Sequence, residues 1–337
     1  MAKNKILPFF IPHIGCPHRC IFCDQHAITG KTFDARGIQN DLALYFADQR
    51  HAGTQIAFFG GSFTAIEEDL MKSLLGTAYS YVQRGLASGI RISTRPDAVE
   101  EKTLLLLKDY GVTHIELGIQ SASDEVLAAT HRGHTAAQSE EALKRVVAHG
   151  FTAGGQMMVG LPLSDAEKEL ETANMICRCG AKESRIYPTL IFPRTPLYSL
   201  YQEGGYTPLT LEEALQRCLP PLKAFWDSGV TVLRVGLCEN EGLHRESVSP
   251  IGPMHPAFGE LVLQAEMKKC IDRVLANQAT VGKKMEITVS ESRLSLLTGH
   301  GGIKPYLYGR YAPSSIEFFT DAAMTDKRGV KIVLKDH

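Results

Sequence analysis

Three cysteines crowd into eight residues, Cys16, Cys20 and Cys23, with the spacing C-x3-C-x2-C. Thiolates are soft ligands that select iron–sulfur clusters or zinc. A closed zinc site or an ordinary four-iron cluster takes four ligands, and no fourth cysteine lies nearby. Three thiolates on a four-iron cluster leave one iron open, and an open metal position is where chemistry happens. The competing reading is a zinc ion completed by His13, His18 or His26. The other cysteines, Cys177, Cys179, Cys218, Cys238 and Cys270, have no recognisable ligand spacing. In a reducing cytosol none would form a disulfide.

Further polar groups follow short apolar runs. Gly60-Gly61-Ser62 reads as a tight turn after the second run. Ser93-Thr94-Arg95-Pro96-Asp97 reads as a strand end with Pro at a helix start. Leu117 and Ile119 fit a buried strand, but Gln120 beside them has an amide that needs partners if buried. Arg132-Gly133-His134-Thr135 reads as a loop with Thr135 as a helix N-cap. Gln156 and Gly160 lie at the end of a fifth run.

The elements that must position these groups alternate regularly. Strands are expected at 6–11, 55–59, 89–93, 114–119, 152–159 and 184–190. Helical periodicity occupies 101–110, 136–149 and 165–178. Strand, helix, strand in alternation argues for a parallel sheet of βαβ units. Right-handed crossovers curl such a sheet into a partial barrel, with function at the strand ends. After Tyr201 come a helix at 211–226, a strand at 230–235 and a loop rich in Gly, Pro, Ser and His. The expected division is a barrel over 1–235, a linker over 236–256 and a small α+β domain over 257–337.

The stretch Gly15-Cys16-Pro17-His18-Arg19-Cys20-Ile21-Phe22-Cys23 resembles the signature of the radical S-adenosylmethionine (SAM) superfamily. Gly-Ile-Gln-Ser, Arg-Gly-His-Thr, Gly-Leu-Pro and Tyr-Pro-Thr motifs follow in order between Lys5 and Val235. That order is similar to the radical subdomain of the Elongator catalytic subunit and, more loosely, to oxygen-independent coproporphyrinogen III oxidases. The resemblance implies an α/β fold, a partial (β/α)6 barrel. It implies a 4Fe-4S cluster on Cys16, Cys20 and Cys23 whose open iron binds SAM. One electron, from a low-potential donor such as flavodoxin or ferredoxin, then yields methionine and a 5′-deoxyadenosyl radical. The cofactor carries that chemistry and the protein supplies geometry. By the same resemblance Phe22 borders the cofactor, and Gly60, Gly61 and Ser62 meet the methionine ammonium. Ser93, Thr94 and Arg95 face the cofactor, Gln120 bonds the ribose and Arg132 pairs with the methionine carboxylate. Gly160 belongs beside the adenine. Gln156 stands where relatives often carry Asp, so it can bond a ribose hydroxyl but offers no carboxylate. No counterpart of Elongator's acetyltransferase domain is expected.

In the tail a helix at 258–275 precedes a strand at 285–289 and a helix at 292–297. Gly299-His300-Gly301-Gly302 follows, then a helix at 303–308 and strands at 315–319 and 330–334. This order resembles a KH module, whose Gly-x-x-Gly loop admits a nucleic-acid backbone. Lys283, Lys304 and Arg310 are the expected phosphate contacts. The rival reading is a cap or dimer contact.

The whole chain has 337 residues, 44% hydrophobic and 22% charged, with a formal charge of −1. That balance suits a folded protein and excludes a strongly basic whole-chain field. No apolar run is long enough for a membrane span, and no secretory signal is read, so a cytoplasmic protein is expected. The function expected is a radical SAM enzyme acting on tRNA or other RNA. The alternatives are a small-molecule substrate such as a tetrapyrrole, or a protein using its metal for structure alone.

Overall fold

The computed structural model describes residues 5–17, 19–29, 33–237, 249–299, 302–324, 326 and 328–336. The chain divides into two compact units, Met1–Met254 and His255–His337. The first carries a seven-stranded sheet in sequential order. Its strands are β1 (Ile6–Ile11), β2 (Thr54–Gly60), β3 (Ala87–Thr94), β4 (Val112–Gln120), β5 (Thr152–Val159), β6 (Glu183–Pro188) and β7 (Thr231–Val235). Every neighbouring pair is parallel. Six strand–helix units were expected; β7 adds a seventh strand on the free edge of β6.

The helices joining the strands are α1 (Gln25–Thr29), α2 (Ala35–Phe46), α3 (Glu68–Gln83), α4 (Glu101–Asp109), α5 (Asp124–Ala129), α6 (Ala136–Ala148), α7 (Ala166–Arg178), α8 (Pro196–Gln202) and α9 (Leu211–Asp227). Their ends are written locally. Thr135 caps α6 and Thr210 caps α9, each in a reciprocal box with the side chain three residues on. Asp165 caps α7 through the Lys168 amide.

Parallel strands covered on both faces read as continuous apolar runs. β4 does not. Ile115, Leu117 and Ile119 are fully buried on one face, while Glu116, Gly118 and Gln120 alternate onto the other. The apolar face packs on helices, and α4 and α6 both touch β4. The second face is polar across four strands, with Arg91, Glu116, Gln156 and Arg185 in hydrogen-bond contact. Closing such a face with apolar side chains would strand buried charges, so each must be paired.

The second unit contains α10 (Phe258–Leu275), β8 (Lys284–Val289), α11 (Leu294–Thr298), α12 (Lys304–Tyr311), β9 (Ser315–Thr320) and β10 (Lys331–Lys335). β8 is central, antiparallel to β10 and parallel to β9. Met267, Ile271, Met285, Ile287, Leu297 and Leu307 lie in its own core. Pro305 sits in the first turn of α12, where its missing N–H costs nothing. Among the described residues no helix is long and apolar enough to cross a membrane.

Candidate active site

The cysteine loop leaves β1 and is tied to the segments that follow β2, β4 and β6. Ser62 N–H donates to the Ile14 carbonyl at 3.1 Å. Ile21 N–H donates to the Thr130 carbonyl at 3.2 Å, and Leu197 N–H to the Ile21 carbonyl at 2.9 Å. Phe22 is buried among Val126, Leu161, Ile191 and Leu197, so its ring helps to close the loop over the sheet.

Glycines make this crossing possible. A Cβ on Gly61 would strike the carbonyls of Ile14 and Ile11, and one on Gly15 would strike the Ser62 carbonyl. The bare backbone of Gly61 thus admits the chain's own cysteine loop. Because backbone lies in the way, Gly61→Ala should destabilise the protein by about 1–3 kcal/mol, the usual cost of overpacking. Urea denaturation checks this, and an unchanged midpoint would refute it.

The three thiols are half-buried to buried. Burial, then the neighbouring thiols Cys20 and Cys16, push the Cys23 pKa up to about 12. Ionised, the Cys23 sulfur needs a cationic partner. Among the described residues no three His, Cys, Asp or Glu gather round a single ion. His13 Nε2 accepts the Gln25 N–H at 2.9 Å, so that nitrogen is not offered to a metal. His18 and the His26 side chain lie outside the described residues.

Gln120 ends β4 with φ of 68°, a left-handed conformation rarely tolerated by a residue with a side chain. Its amide is buried and Oε1 has no partner. Strain combined with an orphaned acceptor points to a ligand. Gly118 makes room for it, since a Cβ there would crowd Gln120 Nε2 at 3.0 Å and Arg132 Nη2 at 3.2 Å. Arg132 is buried too. Its Nη1 donates to Cys20 Sγ at 3.1 Å and its Nη2 to the Gly118 carbonyl, while Nε has no partner. Beside it His134 is buried with Nε2 unpartnered and Nδ1 3.1 Å from Ser139 Oγ. Burial and then the Arg132 charge lower its pKa to about 4, so the ring is neutral at pH 7. The orphaned buried atoms of Gln120 and Arg132, next to three ligand-type sulfurs, fit a polar cofactor seated over a cluster.

Other expected contacts are placed differently. Arg95 was expected to face the cofactor. Instead it forms a bidentate pair with Asp97, at 2.9 and 2.8 Å, and donates to the Arg132 carbonyl at 2.6 Å. Arg95 thus holds Arg132. Thr94 was expected there as well, but its hydroxyl lies 2.6 Å from that of Thr64, which donates to the Ala98 carbonyl. Ser93 keeps to the polar face, where it accepts from Gln156 Nε2 at 3.2 Å. The same Gln156 nitrogen donates to Glu116 at 3.0 Å, so Gln156 belongs to the charged network.

Gly160 has φ of 76° and needs to be glycine. Its N–H donates to Glu169 at 2.6 Å, and Tyr206 donates to its carbonyl at 2.6 Å. Glu169 in turn receives both Arg217 Nε and Nη2 at 2.6 Å. A buried carboxylate on α7 and an arginine on α9 therefore fix the loop after β5. Sequence reasoning missed Glu169, Arg217 and His134. The available signal was an acid at a buried position of the α7 pattern.

The tail residues do not gather. His300 and Gly301 lie outside the described residues. Lys283 pairs with Asp336 at 3.4 Å, Lys304 stands over the Phe318 ring and Arg310 pairs with Asp272 at 3.3 Å. Lys304 and Arg310 are about 9 Å apart along α12, at 1.5 Å per residue. Lys283 accepts the Ser314 N–H on its carbonyl, so it belongs with the far end of α12 from the glycine loop. The expected basic cluster at the glycines is not formed by these three.

The profile of the radical SAM superfamily matches residues 10–176, and that of the radical SAM C-terminal domain matches residues 181–269. An uncharacterized protein of Methanocaldococcus jannaschii is 29% identical over 63% of this chain and 69% of its own length. A tRNA uridine(34) acetyltransferase of Dehalococcoides mccartyi is 25% identical over 58% of this chain and 50% of its own length. Human Elongator complex protein 3 is 31% identical over 50% of this chain and 36% of its own length. The chain thus spans half or less of these two relatives. Among solved structures, Elp3 of Methanocaldococcus infernus superposes with a TM-score of 0.59 at 20% identity, over 79% of this chain and 63% of that one. That likeness shows the fold, a half-barrel parallel sheet with helices and a C-terminal domain. With the cysteine loop at the head of this sheet and two matching profiles spanning most of its length, the chain is an enzyme of the radical SAM superfamily, similar to the Elongator group.

Proposed function

We propose that this protein cleaves SAM reductively at a 4Fe-4S cluster and acts on tRNA. The observation that carries the first part is the combination of orphaned Gln120 Oε1 and Arg132 Nε with a cysteine triplet whose Cys20 sulfur Arg132 touches. Cys16, Cys20 and Cys23 hold the cluster. When bound, cluster and SAM supply one-electron cleavage of a sulfonium and a carbon radical that abstracts hydrogen. Gln120 Oε1 accepts from a ribose hydroxyl. Arg132 Nε–H meets the methionine carboxylate, and the Gly60 and Gly61 carbonyls receive the ammonium. Glu169, through Gly160, keeps the adenine-side loop in place. The polar face formed by Arg185, Gln156 and Ser93 lines the interior of the sheet, and the electron arrives from a donor of the flavodoxin or ferredoxin type. The tRNA assignment rests on similarity to a tRNA uridine(34) acetyltransferase across the radical half.

The test is anaerobic. Reconstituted protein with dithionite and SAM should release 5′-deoxyadenosine and methionine in equal amounts, faster with tRNA added. Gln120→Ala should weaken SAM binding roughly fivefold, the worth of one buried hydrogen bond, at unchanged iron content. An intact, reduced cluster that yields no 5′-deoxyadenosine, with or without tRNA, would leave the metal a structural role only. Cleavage that tRNA does not affect would favour a small-molecule substrate.

A further inference from the structure

Each of the three cysteine sulfurs has a hydrogen-bond partner on a side chain outside the C-x3-C-x2-C stretch. Arg132 Nη1 donates to Cys20 Sγ at 3.1 Å across 112 residues of sequence. Ser62 Oγ lies 3.5 Å from Cys16 Sγ. The Gln25 side chain bonds Cys23. A ligand sulfur bound to iron has no proton to give, so in the loaded protein Arg132, Ser62 and Gln25 must be the donors. Of the three, only Arg132 brings a full positive charge.

Its backbone is fixed on both sides, and its guanidinium makes a second bond. Arg95 grips the Arg132 carbonyl at 2.6 Å, the Arg132 N–H donates to the Leu127 carbonyl at 2.9 Å, and Nη2 is spent on Gly118. Such a fork cannot swing wholly onto an incoming carboxylate without giving up bonds that it already makes. The resemblance assigns Arg132 to the methionine carboxylate, yet both of its terminal nitrogens already make a bond and Nε is the nitrogen without a partner.

We infer that Arg132 sets the reduction potential of the cluster through its hydrogen bond to the Cys20 sulfur, with Ser62 acting in the same direction on Cys16. This rests on the cluster assignment proposed above. The physical reason is charge. Reduction adds one electron to the iron–sulfur unit and no proton, so the reduced form is the more negative. A cation and a hydrogen-bond donor at a ligand sulfur stabilise that form and raise the potential; hydrogen bonds to sulfur are one of the protein's levers on such potentials. Arg132 acts here through Cys20, as a positioning and tuning residue.

The experiment is a redox titration of the reconstituted holoprotein without SAM, followed by the electron paramagnetic resonance of the reduced cluster. Arg132→Gln should make reduction at least tenfold less favourable, about 59 mV for a one-electron couple. Arg132→Lys, which keeps the charge, should recover at least half of that shift. Ser62→Ala should move the potential the same way by less. A second measurement uses wild-type protein grown on guanidino-15N arginine. Pulsed resonance of its reduced cluster should detect a 15N nucleus, and this holds even if a variant fails to assemble. An unchanged potential in Arg132→Gln, or no 15N coupling in wild type, overturns the inference. Failure of wild type to assemble any cluster instead overturns the proposed function, so the two are told apart.

Discussion

Replacing any one of Cys16, Cys20 and Cys23 by Ala is expected to abolish the iron and the visible absorbance of anaerobically reconstituted protein. The resemblance gives three sulfurs as the ligand set, and His13 Nε2 is already engaged with the Gln25 amide. Two thiolates cannot hold a four-iron unit that takes three here and leaves one iron open. Cys177→Ala is the comparison, because that thiol lies beside the Ala224 carbonyl in the α7–α9 contact, away from the loop. Iron determination and the absorption spectrum read the result. A triplet variant that keeps full iron and colour would show that other ligands do the work.

The second large effect is on stability. Glu116 is almost completely buried and accepts from Arg91 at 2.8 Å, from Arg185 at 2.6 and 3.1 Å and from Gln156 at 3.0 Å. Arg91 is equally buried and reaches Gln55 and Glu183 as well. A network of this kind gives little stability relative to apolar packing, but removing one member strands the others. Glu116→Ala leaves Arg185 without its carboxylate partner, and should cost about 3–5 kcal/mol in a denaturant titration. A loss under about 1 kcal/mol would mean that water enters and solvates the arginines.

The same residue has a pH signature. Burial opposes its ionisation, but the charges and hydrogen bonds of Arg185 and Arg91 win and hold its pKa below the ordinary 4.5. A carboxyl depressed in the folded state contributes fully above its unfolded pKa and loses that contribution as pH falls through the folded value. Wild type should therefore lose stability below about pH 4.5, and Glu116→Gln should show a shallower loss over that interval.

Much of the fold was legible because it is local. Alternation along β4, the box at Thr135 and the glycine after β5 each depend on residues a few positions apart. The cysteine spacing is local as well, and it narrowed the choice to an iron–sulfur cluster or zinc before any partner was known. The buried Gln120 was legible as an anomaly, since an amide in an apolar strand needs a reason.

The partners across the sheet were not legible. Periodicity says which face a side chain occupies, but its neighbour depends on strand order and register, which are settled by pairing distant segments. Arg91 meets Glu183 across 92 residues, and Arg132 meets Cys20 across 112. Arg95 and Thr94 follow Ser93 directly, yet pleat and turn send all three to different tasks. By itself the sequence determined the cysteine triplet, the strand–helix alternation and the glycines where backbone must pass. Tertiary structure alone decided that Arg95 serves Arg132, that Gln156 serves Glu116, and that Lys283, Lys304 and Arg310 stand apart. The reason is that a charge takes the partner that desolvation forces on it, and that partner exists only once the sheet has closed over both.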